Sequence, residues 1–227
     1  MKSNEELLRE IFSRLDALDY VKPEQIPDIP LYMDQLTTFM DERLAKSKRY
    51  PEDKVLTKTM INNYAKNNLL PPPIKKKYTK EHTLLLIFIY YFKNMLSFHD
   101  IETLFAPITE EHFASDGAPG AAASDSGDSG WSLEDIYREI FSLEKEQMKR
   151  LKEDILRKFR AAKETFPQIS QESGAKESLC PQTDQEYLQV FSFICALGFD
   201  VYLKKQLMEL LIDQIREEHP SGGKKKK

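Results

Sequence analysis

Apolar side chains recur every three or four residues along most of this chain, the period that puts them on one side of an α-helix. Residues 3–20 place Leu7, Leu8, Ile11, Phe12, Leu15 and Leu18 together, with Ser3 and Glu6 at capping-box spacing. Pro23, Pro27 and Pro30 then make a stiff, extended connection. Residues 31–44 predict a second helix with Met33, Leu36, Phe39, Met40 and Leu44 inward. A basic connection over 45–53 leads to a third helix over about 57–67, capped by the Thr57 hydroxyl. Val55, Met60, Ile61, Tyr64, Leu69 and Leu70 supply its buried side and its exit. Pro71, Pro72 and Pro73 end it, because proline lacks the amide hydrogen and disfavours helix in the residue before it. A lysine loop follows, and Thr79 caps a helix whose run 84–92 has almost no polar side and must be central to a core. A short helix closes this stretch at Phe105.

Residues 113–130 hold small, polar and acidic residues with nothing to bury, which predicts a flexible linker. Ser132 and Asp135 then signal the start of a helix running to residue 166, with Tyr137, Phe141, Met148, Leu151, Ile155, Phe159, Ala162 and Phe166 in one stripe. Such a stripe pairs with a second helix or forms a coiled coil. A loop over 167–181 precedes a last helical region from Asp184. There Tyr187, Leu188, Phe191, Ile194 and Cys195 are expected inward, Gly198 permits a break, and Leu203, Leu207, Leu210, Leu211 and Ile215 continue the pattern. The expected fold class is all-α. A helical domain over 1–112, with its core at 31–106, is followed by the linker 113–130, a C-terminal helical hairpin or bundle over 131–219 and a lysine tail over 220–227.

Composition agrees with this outline. The 227 residues are 41% hydrophobic with 13 Phe and 10 Tyr, enough for a core, while 31% charged content and 8 Gly suit a helix-rich protein. The length allows one domain of ordinary size and a second small one. Cys180 and Cys195 lie in no metal or redox pattern, and the four His residues have no ligand spacing. There is no Gly-rich phosphate loop and no HExxH, so no catalytic residue, metal or cofactor is expected, and the chain is not read as an enzyme. The N-terminus is acidic and amphipathic, unlike a signal peptide, and no uninterrupted apolar run reaches 18 residues. These features predict a cytoplasmic protein without a membrane partner.

Charge changes the picture locally. The net charge is −4, yet residues 43–93 hold twelve Lys and Arg against three acids, Glu52, Asp53 and Glu81. Exposed charges more than about 8 Å apart are largely screened at physiological salt, so a polyanion responds to the local excess. Lys58, Asn62 and Lys66 are spaced by four and share one helix face, with Thr59 and Asn63 beside them. Asn bonds bidentately to adenine, and Lys reaches phosphates or guanine. Lys75, Lys76, Lys77 and Tyr78 follow directly. A solvated helix side with a solubilising turn would look similar, but the placement of the lysine loop just after this helix favours nucleic acid. By contrast Tyr90 and Tyr91 read as core, His82 and His99 as surface residues at helix starts, and Cys195 as packing.

The order of elements over 56–105 resembles the winged helix-turn-helix of MerR-type regulators. LTKTMINNYAKNNLL, residues 56–70, lines up with that family's recognition helix and the leucine pair after it, and Lys76, Lys77, Tyr78 and Thr79 with the end of its wing. Residues 84–105, closing with MLSFHDIETLF, resemble the helix pair after the wing. Asn62 and Asn63 stand where that family usually has Arg and the first of two Tyr, Tyr64 keeps its place, and Asn68 replaces the closing glycine. The wing is several residues short and has no glycine. With IPLYMDQLTTFM upstream, the first 108 residues resemble more closely the uncharacterised bacterial family DUF1836. The MerR resemblance implies a sequence-specific, double-stranded DNA-binding transcriptional regulator. Its implied interface is Lys58, Thr59, Asn62, Asn63, Lys66, Lys75, Lys76, Lys77 and Tyr78. A homodimer is the expected assembly, the helix from Ser132 being the candidate dimerising element, and no small-molecule effector is specified. The alternative is a non-enzymatic adaptor whose C-terminal helices bind a protein partner.

Overall fold

A computed structural model of the chain describes residues 4–18, 20–113, 130–166 and 181–219. Expectations for the Ser3 cap, most of the linker, the loop with Cys180 and the lysine tail lie outside the described residues. The chain divides into two compact units, Met1–Leu143 with Glu209–Lys227, and Glu144–Met208.

The first unit runs α1 (Asn4–Ala17), β1 (Leu31–Tyr32), α2 (Met33–Arg43), α3 (Lys58–Lys66), β2 (Lys77–Tyr78), α4 (Lys80–Phe92), α5 (Phe98–His112) and α6 (Leu133–Ser142). The second holds α7 (Glu144–Glu164) and the larger part of α8 (Pro181–Glu218). The fold is all-α, with one two-stranded sheet among the described residues.

Helix α4 is the centre of the first unit. His82, Thr83, Leu84, Leu85, Leu86, Ile87, Phe88 and Ile89 are all buried, because this sequence offers no polar side to turn outward. Burying each of these large aliphatic or aromatic side chains contributes about 1.5–3 kcal/mol. Phe88 meets Phe105 of α5 at 5.8 Å and Tyr137 of α6 at 5.2 Å, so helices from both sides of the low-complexity segment close on one aromatic cluster. Leu133 and Tyr137 are fully buried, and the Tyr137 hydroxyl donates to the Val21 carbonyl at 2.6 Å. At the rim Lys80 pairs with Asp28 and Glu134, each at 2.8 Å.

Three features differ from the periodicity reading. Leu31 and Tyr32 are strand rather than helix: Leu31 pairs antiparallel with Tyr78, and Tyr32 with Lys77. The partner strand lies far along the chain, and local pattern does not report it. The stripe from Ser132 to residue 166 is two helices, α6 and α7, separated at Leu143. Gly198 causes no break, since α8 is continuous through it.

In the second unit α7 and α8 form a helix pair. Phe159 and Phe193 meet edge to face at 5.4 Å, and Ile155 and Ala162 are buried beside them. Lys158 bridges Asp154 and Asp200. In this pair the buried residue of α8 is Phe193, whereas Tyr187, Leu188, Phe191, Ile194, Cys195, Leu203 and Leu207, expected inward, are exposed, as are Leu210 and Leu211 further along. Apolar side chains lie almost all round this helix, so spacing does not select the face that packs. By length and composition alone Gln185–Glu218 could cross a bilayer. Polar residues such as Gln189, Ser192 and Asp200 interrupt its apolar ones, so no unbroken apolar run marks it.

Candidate nucleic-acid interface

Helix α3 is set by local chemistry. The Thr57 hydroxyl accepts the Met60 amide at 3.2 Å, satisfying a first-turn donor. At the other end the Leu69 amide donates to the Tyr64 carbonyl at 2.9 Å and Asn68 has φ 61°, which makes a Schellman stop with asparagine in the left-handed position. Ile61 and Tyr64 are buried, as are Leu69 and Leu70 just beyond. Lys58, Thr59, Asn62, Asn63 and Lys66 are all exposed on the remaining surface. The polar face expected of this helix is therefore open to solvent.

The connection from α2 to α3 is long, and Asp41 organises it. Its carboxylate accepts the Lys48 ammonium at 2.8 Å and the Val55 amide at 3.3 Å. The Lys48 bond first, then the backbone bond, holds this carboxyl below the usual carboxylate range. Val55 and Leu56 are buried behind it and deliver the chain to the Thr57 cap.

The lysine loop is a two-residue hairpin. The Ile74 amide donates to the Lys77 carbonyl at 3.0 Å and the Lys77 amide donates back at 2.9 Å. Lys75 and Lys76 between them have φ 49° and 66°. A turn with both central residues at positive φ is the type that favours Asn-Gly, and left-handed geometry costs a side-chain-bearing residue roughly 1–2 kcal/mol. Both lysines are exposed, at a turn that a glycine would form more easily.

Hairpin and helix converge at the start of α2. Lys77 lies over the Tyr32 ring, 4.9 Å from its centre, and two residues on Asp34 forms an ion pair with Lys58. Tyr32 is half exposed and lies outside the expected site; its burial state follows from strand pairing that the local pattern hides. Not every lysine of the basic stretch contributes free charge. Lys48, Lys58 and Lys80 are held by Asp41, Asp34 and Asp28, while Lys93 donates to the Val55 carbonyl at 2.8 Å. Lys66, Lys75 and Lys76 have no ion-pair partner among the described residues.

Two expectations are corrected. Tyr78 is expected on the interface, but only 3% of it is exposed; it packs on His82 at 5.5 Å, and burial raises its hydroxyl pKa. Strand alternation turns Tyr78 inward and leaves its neighbour Lys77 half exposed. His82 is not a surface residue, because it is fully buried. Its Nδ1 accepts the Thr79 amide at 3.1 Å, so the ring proton sits on Nε2, 3.4 Å from the Pro72 carbonyl. His82 thus ties the proline stop to the first turn of α4. Among the described residues no group of three or more His, Cys, Asp or Glu could hold a metal ion.

Residues 21–125 match the model of the family described as Domain of unknown function (DUF1836). The nearer of the two sequence resemblances is thereby borne out over that stretch. No curated protein and no solved structure matches the chain.

Proposed function

We propose that the DUF1836 domain of this chain binds duplex DNA as a sequence-specific transcriptional regulator. In this reading α3 enters the major groove with Asn62 and Asn63 toward base edges, and the Ile74–Lys77 turn holds the phosphate backbone with Lys75 and Lys76. No catalytic group or cofactor takes part, and the protein acts in the cytoplasm.

One observation carries this reading. Two lysines occupy left-handed turn positions at a cost to stability, exposed and without counter-ions among the described residues. Strained backbone that persists at a polar surface points to use. The exposed Lys, Thr and Asn side of α3 supports it.

The double substitution Lys75→Asn with Lys76→Gly supplies the residues the turn favours while removing both charges. It is expected to raise the melting temperature and to weaken retention of a genomic DNA library uniformly. The slope of log affinity against log salt should fall by about 2, one for each phosphate that a lysine no longer neutralises. A variant that binds the library as tightly as wild type, with the same salt slope, would overturn the reading.

The rival reading is a non-enzymatic protein adaptor built on the same scaffold. Asp34 beside Lys58 favours it, because an acid at the start of α2 subtracts from the cationic face. A stoichiometric protein recovered in pull-downs, together with salt-insensitive DNA behaviour, would select it.

A further inference from the structure

A two-helix unit has one covered side and one open side, and here the open side is the more apolar. Facing α7, α8 offers Phe193 and Asp200, the latter paired with Lys158. Away from α7, Tyr187, Phe191, Ile194, Phe199 and Tyr202 each leave 50–63% of their surface exposed. We propose that this face of α8, over residues 187–202, docks on the same face of a second copy of the chain.

Three observations select this occupant. The first is area. At about 150–250 Å² for a whole aromatic side chain, and somewhat less for Ile194, these five expose on the order of 550 Å². That is about two thirds of the roughly 800 Å² that each partner contributes to a stable interface. The second is charge: from residue 187 to residue 199 α8 carries no ionisable Asp, Glu, Lys, Arg or His. A charged partner finds nothing there to pair with, whereas an identical apolar face meets itself without an unpaired ion, as a two-fold interface requires. The third is the companion helix. α7 brings Arg150, Lys152, Arg157 and Arg160 alongside, and the Asp200–Lys158 pair is fixed against it. A bilayer core would have to accept those charged side chains with α8, and taking ions out of water costs several kcal/mol each. This surface is independent of the DNA-contacting reading.

Light scattering of the full-length protein after size exclusion tests the proposal. The expected mass is twice the 26.4 kDa of one chain, falling toward the single-chain mass on dilution. Phe191→Glu with Phe199→Glu is expected to yield single chains that keep their helical circular dichroism, since both side chains are exposed within one chain. Ile194→Glu with Tyr202→Glu should do the same, so loss of folding in one pair does not remove the test. A wild-type protein at single-chain mass at micromolar concentration overturns the proposal. So does a folded double variant that stays dimeric, or a single-chain wild type that floats with phosphatidylcholine vesicles, which would make a bilayer the occupant.

Discussion

His82 shows how much one side chain can hold. Burial, the largest influence, pulls its pKa below the ordinary 6.5, with the Pro72 carbonyl only partly offsetting it. Between pH 6.5 and the lowered folded value, the unfolded chain binds a proton that the folded protein refuses. Stability linked to this ring therefore falls as pH drops through 6.5 and levels off below the folded pKa. His82→Gln keeps an acceptor for the Thr79 amide and removes the titration, so denaturant midpoints measured from pH 7.5 to 5 should lose this part of their slope. Tyr137 offers a second check. Removing its hydroxyl in Tyr137→Phe leaves the buried Val21 carbonyl without that donor, and chemical denaturation should register a loss of about 1–3 kcal/mol.

At the level of elements, those with local signals were legible and those made by distant partners were not. The ends of α3 were readable because Thr57 and Asn68 act within a few residues of themselves, and α4 because a helix with no polar side belongs in a core. β1 was hidden because two residues between Pro30 and Met33 become strand only when Tyr78 and Lys77 pair with them. The exposed side of α3 could be read from spacing, but the inward turn of Tyr78 and the company of Tyr32 depend on that same pairing. The packed side of α8 escaped for another reason, since several of its faces are apolar and only packing against α7 selects Phe193. Within α3 the division of labour is testable. Ile61→Ala should cost about 2–5 kcal/mol in denaturation by opening the core. Asn62→Ala should leave stability nearly unchanged and, on the DNA-binding reading, relax sequence preference in a selection from random duplexes.

For the whole molecule, the family match and the packing have different limits. The match ends at residue 125, whereas the aromatic cluster around Phe88 takes Tyr137 and Phe141 from α6. A fragment ending at residue 125 should melt below one ending at residue 143, because it leaves Phe88 without those neighbours. Arg216 adds a further closure, donating to Asp100 at 3.0 Å, where Asp100 also caps α5 through Ser97. Ile212 is buried nearby in sequence.

That last closure bears on synthesis. Asp100 leaves the ribosome more than a hundred residues before Arg216 does, and the unit they share includes Glu209–Lys227. The nascent N-terminal helices must wait, with Arg216 and Ile212 still untranslated, while more than a hundred further residues are made. A stalled or prematurely terminated chain would release its largest globule unsealed, a natural substrate for chaperones and proteases.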